Sequence, residues 1–596
     1  MMKKLLSLTL VATLLLCILS SCNLVQTNTE TLLAAVAPNA TNPAESPEQP
    51  APATGDTTLP EGAMILNCVK IIANGETAAE ATAAAELQKY LEKRAVVIND
   101  EVGFPITLVL DEAVGDDSFI ITASTAEGEG QGMTITGGNG RGVLYGVYNF
   151  LQEFAGFRAY TPDLEVFIND DDIVIWDGVL LEYHPVFEMR MNDWYRYYYE
   201  PVKESQQERM PYWYVKNGVN IAHGNWSTWS GDLGYSWDYG GLFVHTINRL
   251  TGCGATNPCL YDPDETLYNK TLEAVLKTLR EKPETTIISI SQNDTTNRCQ
   301  CEGCLAIEAE EGSPSGLWIR FVNKIAEAIE DEFPNVVIDT LAYQHTQAAP
   351  KVTKPHPNVC VRLCSFKCHF THPLTDPNCE ANKTFVKDLE DWSKICDRIY
   401  VWDYTTNYRY YIATYATIDV FRENMQFFAE HNVKGMYPQG NYQTISGEFG
   451  ELRAYLLAKL MWNPYMTEEE YNAHMNEFLA AYYGEGWEYI RMYIDKTCEM
   501  YEDSCSNLNQ SPLSYASPEQ WLTMEETFDD WWNRAEALAG DRLEAVQRSR
   551  FQWRYVQALL HPDNTKIRDY LIADVTPYNM HWQESNGSAV KHWGLK

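Results

Sequence analysis

Between Val186 and Tyr437 one pattern recurs: a short apolar or β-branched run, a polar or aromatic stop, then a stretch of helical periodicity. The runs are Val186–Met191, Val219–His223, Leu242–Thr246, Thr286–Ile290, Val336–Ala342, Val359–Leu363, Ile399–Asp403 and Val433–Tyr437. Parallel strands covered on both faces are apolar throughout, and each needs a helical crossover to reach the next. The alternation therefore predicts an α/β fold, a (β/α)8 TIM barrel over residues 179–465, with its polar groups gathered at the C-terminal ends of the strands. Those ends carry Arg190, Asn192 and Asp193, then His223, His245, Asn293 and Asp294, Tyr343 and His345, Lys367 and His369, Asp403 and Tyr404, and Gln439 and Asn441.

The fourth run has the sharpest ending. In Thr285–Cys304 (TTIISISQNDTTNRCQCEGC) the strand stops at Gln292-Asn293-Asp294, and three cysteines follow. A carboxylate at that place is either a catalytic acid or a strand-end residue that caps its own loop.

A formal net charge of −37 argues against nucleic acid or an anionic membrane surface as a partner, since phosphates need cations. The 36 Tyr, 17 Trp and 20 Phe suit either a large buried core or the aromatic platforms on which sugar rings stack. Two ring-rich stretches, Tyr195–Tyr199 and Trp226–Tyr239, contain or adjoin Gly, Ser and Asp and read as loops that wall a cleft or pack on one another.

At the N-terminus two lysines precede the apolar run Leu5–Leu19, too short for a good membrane span, and the run ends Leu-Ser-Ser-Cys22. This resembles the lipobox of bacterial lipoproteins. It implies a signal peptide over 1–22, a lipid anchor on Cys22 and a place in the cell envelope facing outside the cytoplasm. Residues 23–60, rich in Ala, Thr, Pro and Glu, read as a tether. Residues 61–178 read as a small β-α-β-β-β-α layer, and 466–596 as a helical C-terminal domain.

The run GGNGRGVLYGVYNFLQEFAGFRAYTPDLE from Gly137 resembles the end of the small non-catalytic domain that precedes the barrel in β-N-acetylhexosaminidases and α-glucuronidases. Further on, SISQND, CQCEGC, SGLWIRFVNKIAEAI, LAYQHT, VWDY and LLAKLMWNP resemble an uncharacterised family of bacterial glycoside-hydrolase-like proteins. The resemblance spans roughly Gly137 to Pro464. It implies a glycosidase working by paired carboxylates, with a carbohydrate as substrate and no cofactor. Asp294 stands where hexosaminidases carry the acid of an Asp-Glu pair. Asn293 replaces that pair's other carboxylate, so assistance from an N-acetyl group is not implied. Asp403 is the first choice for the second carboxylate, with Glu448, Glu451 and Asp193 as alternatives. Arg190 matches a sugar-binding arginine of the hexosaminidases or is a structural ion-pair partner. Asp193, His223, His245, Asn293, Tyr343, Trp402 and Tyr404 complete the expected substrate-binding set. The other reading of the same chain is a glycan-binding lipoprotein on a hydrolase-derived barrel.

Of the 15 cysteines two are Cys17 and Cys22, which leaves 13, an odd number. Cys299, Cys301 and Cys304 form C-x-C-x2-C, open to disulfides, plain thiols or a structural zinc whose fourth ligand is Cys253, Cys259 or His369. No nucleophile elbow or HExxH motif appears, so esterase and metalloprotease chemistry have no support.

Overall fold

A computed structural model describes residues 62–128, 130–194, 209–221, 233–234, 237, 239–585 and 587–595. All belong to one compact unit, Pro60–Lys596. Cys22, His223, Tyr195–Tyr199 and most of Trp226–Tyr239 lie outside the described residues.

The N-terminal part is a mixed sheet with two helices on it. Its elements are β1 (Cys68–Ala73), α1 (Ala78–Lys93), β2 (Val97–Ile98), β3 (Phe104–Leu110), β4 (Phe119–Ser124), β5 (Gly132–Gly137) and α2 (Gly140–Phe154), joined later by β6 (Val179–Tyr183). The strand order is β6-β4-β5-β3-β1-β2. Thr77 and Asn139 cap the two helices, their side chains accepting from the backbone N–H groups of Glu80 and Gly142. Glycines at the start of α2 allow the helix to approach the sheet closely. A Cβ on Gly142 would stand 2.4 Å from the Ser118 carbonyl oxygen, and one on Gly146 2.5 Å from Ile135.

The larger sheet is parallel: β7 (Met189–Arg190), β8 (Ile287–Ser289), β9 (Val337–Ala342), β10 (Val359–Cys364), β11 (Ile399–Tyr404) and β12 (Val433–Gln439). Its order is β7-β12-β11-β10-β9-β8. Met189 and Met191 at one edge and Ile287 at the other share one apolar cluster with Val337, Cys360, Tyr400 and Tyr437, so the sheet curls into half a barrel around them. Of the second expected strand, Ile221 makes an isolated parallel bridge with Met191, and a second isolated bridge joins Tyr239, just before the third expected run, to Ile287. Leu242–Thr246 is a loop rather than a strand: His245 has φ +54°, and Phe243 drops inward instead of continuing the ladder. There it meets Tyr239, Trp402 and Tyr437 at ring separations of 5.1–5.5 Å and lies 4.2 Å beneath the Arg362 guanidinium.

Helix α3 (Gly450–Trp462) follows β12 and is buried on nearly every side. The C-terminal region is helical: α4 (Glu468–Tyr483), α5 (Trp487–Tyr501), α6 (Pro518–Leu538), α7 (Leu543–Leu560) and α8 (Thr565–Val575). Thr467 and Ser517 open two of these helices with capping boxes.

One buried charge cluster joins the two sheets. Asp117, in the left-handed conformation, accepts from Arg141 Nη2 at 2.6 Å through one oxygen and from Arg190 Nη2 at 3.0 Å through the other. Asn220 Nδ2 donates to the second oxygen at 2.9 Å, and Asn220 Oδ1 accepts the Arg190 backbone N–H at 2.8 Å. Burial opposes the charge on Asp117, but the two guanidiniums outweigh it and hold the carboxyl down at about 2. The depressed value means that this group stabilises the fold above the ordinary carboxylate range. That contribution is lost as pH falls from about 4 through 2. Arg190→Met should destabilise the protein by about 3–5 kcal/mol in urea unfolding, because it leaves a buried carboxylate underpaired. Asp117→Asn should flatten the acid limb of the stability curve between pH 4 and 2, and an unchanged limb contradicts the assignment.

Candidate functional site

Strand alternation decides which side chains reach the mouth of the curled sheet. On β11, Tyr400 and Trp402 belong to the inner cluster, so Tyr404 faces inward with them and Asp403 faces out. Asp403 is buried and accepts from Ser365 Oγ at 2.6 Å. It therefore packs in the outer layer, not across the mouth from Asp294 as expected of the second carboxylate. Glu448 is also buried, paired with Arg453 at 2.5 Å, and burial raises its carboxyl to about 8. Glu451 pairs with Arg548 at 2.7 Å and so ties α3 to α7. Arg190 falls between the inward Met189 and Met191 and points to Asp117, away from the mouth where a sugar-binding arginine would stand.

Asn293 and Asp294, though adjacent, part company. Asn293 is buried, and its Nδ2 donates to the carbonyl oxygens of Gly254 at 3.0 Å and Thr256 at 3.3 Å. It fastens a neighbouring loop rather than facing a substrate. Asp294 is exposed at the rim and accepts from the Tyr343 hydroxyl at 3.1 Å. His245, held by Nδ1 to the Gln292 carbonyl oxygen at 2.8 Å, lies 6.2 Å from the Tyr343 ring.

From Tyr343 an arc of rings crosses the mouth. Phe366 follows at 5.0 Å, Tyr404 at 6.3 Å, Tyr408 at 6.0 Å and Tyr411 at 6.1 Å, each measured from the ring before. Trp402 stacks near-parallel on Tyr404 at 6.2 Å, and its Nε1 donates to Gln439 Oε1 at 2.8 Å. Trp237 and Tyr239, from the second ring-rich stretch, are core rather than wall. Trp237 donates to the Glu188 carbonyl oxygen, and Tyr239 donates to Asp339, which pairs with Arg362 at 2.7 Å.

Two more carboxyls meet this arc. Asp193 lies at the floor, where it accepts from the Tyr437 hydroxyl and from the Gly440 backbone N–H at 2.9 Å. It is fully buried, and burial pushes its carboxyl up to about 7. Glu584 comes from the segment after α8. Its backbone N–H donates to the Tyr408 carbonyl oxygen at 2.7 Å, and its carboxylate, on an exposed residue, accepts from Tyr442 at 3.5 Å. Packing of the carboxyl against the rim raises it, and the neighbouring Asp294 charge adds to that rise. Tyr411 and Tyr442 feel both Glu584 and Asp193. Glu584 carried no sequence signal, since it stands outside any repeat or motif.

The thiols of C-x-C-x2-C are joined by Cys259, not by Cys253, whose sulfur lies 3.8 Å from Asn293 Nδ2. His369 belongs to a separate group with His372, Cys379 and Cys505. None of the described cysteines is joined in a disulfide.

The chain belongs to the family described as Domain of unknown function (DUF4838), whose model matches residues 159–495. No curated protein matches the sequence. Among solved structures, it is similar to a family GH115 4-O-methyl-α-glucuronidase with specificity for decorated arabinogalactans. That similarity has 12% identity and a TM-score of 0.58, over 89% of this chain and 79% of that one. A β-N-acetylhexosaminidase from Bacteroides fragilis matches at 12% identity and a TM-score of 0.41, over 69% of this chain and 91% of that one. At these identities the first likeness establishes a glycoside-hydrolase type of fold.

The raised carboxyl of Asp193 has a direct consequence for stability. Between about pH 4 and 7 the unfolded chain has released this proton and the folded chain keeps it, so the group lowers stability as pH rises through that window. In Asp193→Asn the slope is absent. The melting temperature of the variant minus that of the wild type should therefore increase from pH 4.5 to 8 by calorimetry, and a constant difference contradicts the burial argument.

Proposed function

We propose that this member of the DUF4838 family is a glycoside hydrolase whose reaction takes place between Asp294 and Glu584 at the mouth of an eight-position barrel. One observation carries the reading: two carboxyls from distant parts of the chain, each bonded by a rim tyrosine, meet at an arc of aromatic rings. Glycosidic hydrolysis needs a carboxylic acid that protonates the leaving oxygen and a carboxylate that attacks the anomeric carbon or activates water. Glu584, with its raised carboxyl, is the proton donor, and Asp294, bonded by Tyr343, is the carboxylate. This differs from the sequence expectation, which makes Asp294 the acid and takes its partner from Asp403 or Glu448.

Asp193 then acts from beneath the floor, where its bonds to the Tyr437 hydroxyl and the Gly440 backbone hold the end of β12 in place. Tyr343, Phe366, Tyr404 and Trp402 present ring faces and hydroxyls, the mixture that pyranose rings require. His245 at the rim adds a polar contact. If Cys22 carries a lipid, the domain works at the cell envelope on glycans outside the cytoplasm. No described helix is long and apolar enough to cross a membrane.

The test is turnover on a panel of aryl glycosides and plant and bacterial glycans. Asp294→Asn and Glu584→Gln should each lower kcat/KM by about 100-fold or more on the substrate found. Glu584→Gln should also remove the alkaline limb of the pH profile, while Asp403→Asn changes little. Full activity in Asp294→Asn overturns the assignment. Binding on a glycan array with no turnover by the wild type would favour the glycan-binding reading.

A further inference from the structure

Two groups of soft ligands stand beside the mouth, and the proposed reaction uses neither. In the first, one sulfur from each of Cys259, Cys299, Cys301 and Cys304 lies within 4.8 Å of every other. Cys259 Sγ is 3.7 Å from Cys301 Sγ and 3.6 Å from Cys304 Sγ. A disulfide needs sulfurs about 2.05 Å apart. Four thiolates at about 2.3 Å around one zinc ion lie about 3.8 Å from each other, the edge of a regular tetrahedron. The spacing matches the tetrahedron and misses the disulfide by more than 1.5 Å. Cys301 also caps the helix Glu302–Glu311, and its sulfur accepts from the Cys304 backbone N–H at 3.5 Å. A helix N-terminus and an N–H donor both stabilise negative charge on that sulfur.

The second group draws on three parts of the chain: His369 and His372 after β10, Cys379 at the start of the helix Glu380–Ser393, and Cys505 after α5. His369 Nδ1 is 3.2 Å from Cys505 Sγ and 3.4 Å from Cys379 Sγ, and the two sulfurs are 3.5 Å apart. With zinc–nitrogen and zinc–sulfur bonds of about 2.05 and 2.3 Å, a tetrahedral nitrogen–sulfur edge is about 3.5 Å. His372 supplies the fourth position. Its Nδ1 lies 3.2 Å from the Pro373 carbonyl oxygen, and its Nε2 is buried with no hydrogen-bond partner among the described residues. An imidazole that donates one N–H to a carbonyl and leaves the other nitrogen bare is how histidine is oriented toward a metal.

We propose that the protein holds two structural zinc ions, one on Cys259, Cys299, Cys301 and Cys304 and one on His369, His372, Cys379 and Cys505. Both ligand sets are closed at four protein groups, which leaves no position for water or substrate and makes the ions braces rather than reaction centres. Binding forms four coordinate bonds and releases the protons of the thiols to solvent. The first ion fixes the loop around Cys259 to the segment that carries Asp294, a link that Asn257 supports by accepting the Asn293 backbone N–H at 2.7 Å. The second joins the loop after β10, which carries Phe366, to the C-terminal helical region. His369 bridges Asn507 there, and Thr371 donates to the Ser504 carbonyl oxygen.

The test is metal content, independent of any substrate. The full chain is purified with reductant, saturated with zinc and passed through gel filtration. Plasma mass spectrometry should then find about two zinc ions per chain. Cys301→Ser and Cys505→Ser should each remove about one, and the double variant both. Cobalt replacing zinc in the wild type should give thiolate-to-metal charge-transfer bands and the intense visible bands of tetrahedral sites, which plain thiols do not produce. The wild-type count and spectrum decide the question even if a variant fails to fold. Less than about half an equivalent of zinc on the saturated wild type overturns the proposal. So do non-reducing peptide maps that show disulfides within either group.

Discussion

The Asp117 cluster sets the relation on which the rest of the structure depends. It is a carboxylate that takes four of its five side-chain donors from Arg141 on the helix of the small sheet and from Arg190 and Asn220 at the first edge of the curled sheet. Every member is buried. A buried guanidinium is costly unless its donors are used, and Arg190 also donates to the carbonyl oxygens of Gly218 and Phe187 and to the Tyr145 hydroxyl. The cluster thus fixes where the first strand begins and which of its faces looks inward. With Arg190 committed outward, Met189 and Met191 fill the interior and Asp193 arrives at the floor of the mouth.

That same parity runs around the curled sheet. Tyr400, Trp402 and Tyr404 share a face, as do Cys360, Arg362 and Cys364 on the neighbouring strand. The lower levels are apolar or charge-paired and the upper ones aromatic. The pairing of Arg362 with Asp339, over the Phe243 ring, fills the interior below the mouth.

Much of this was legible in the chain. Strands β9 to β12 announced themselves because all their residues are buried or nearly so, which is what an uninterrupted apolar run means. The Leu242–Thr246 run gave the same signal for a different reason: Phe243 is apolar because it plugs the interior from a loop, and periodicity does not separate the two cases. In VWDY the carboxylate was visible but its face was not, since a one-residue change of parity exchanges Asp403 for Tyr404. Asn293 and Asp294 likewise divide their work by direction alone. The first cysteine group showed three of its members through close spacing. The second was hidden, because Cys379 and Cys505 are 126 positions apart and only the folded chain brings them together. Glu584 had no pattern to mark it.

The way Glu584 reaches the mouth has a kinetic meaning. It lies 290 positions beyond Asp294 (584 − 294), with strands β9 to β12 and the helices from Glu302–Glu311 to α8 in between. Contacts of such sequence separation pay their loop-closure entropy late, after local and neighbouring elements have formed. Strands β8 to β12, which pair with their neighbours in sequence order, can therefore assemble while Glu584 is still remote from Asp294. Folding of the scaffold and completion of the mouth become separate events, and the second waits for the helical region to dock.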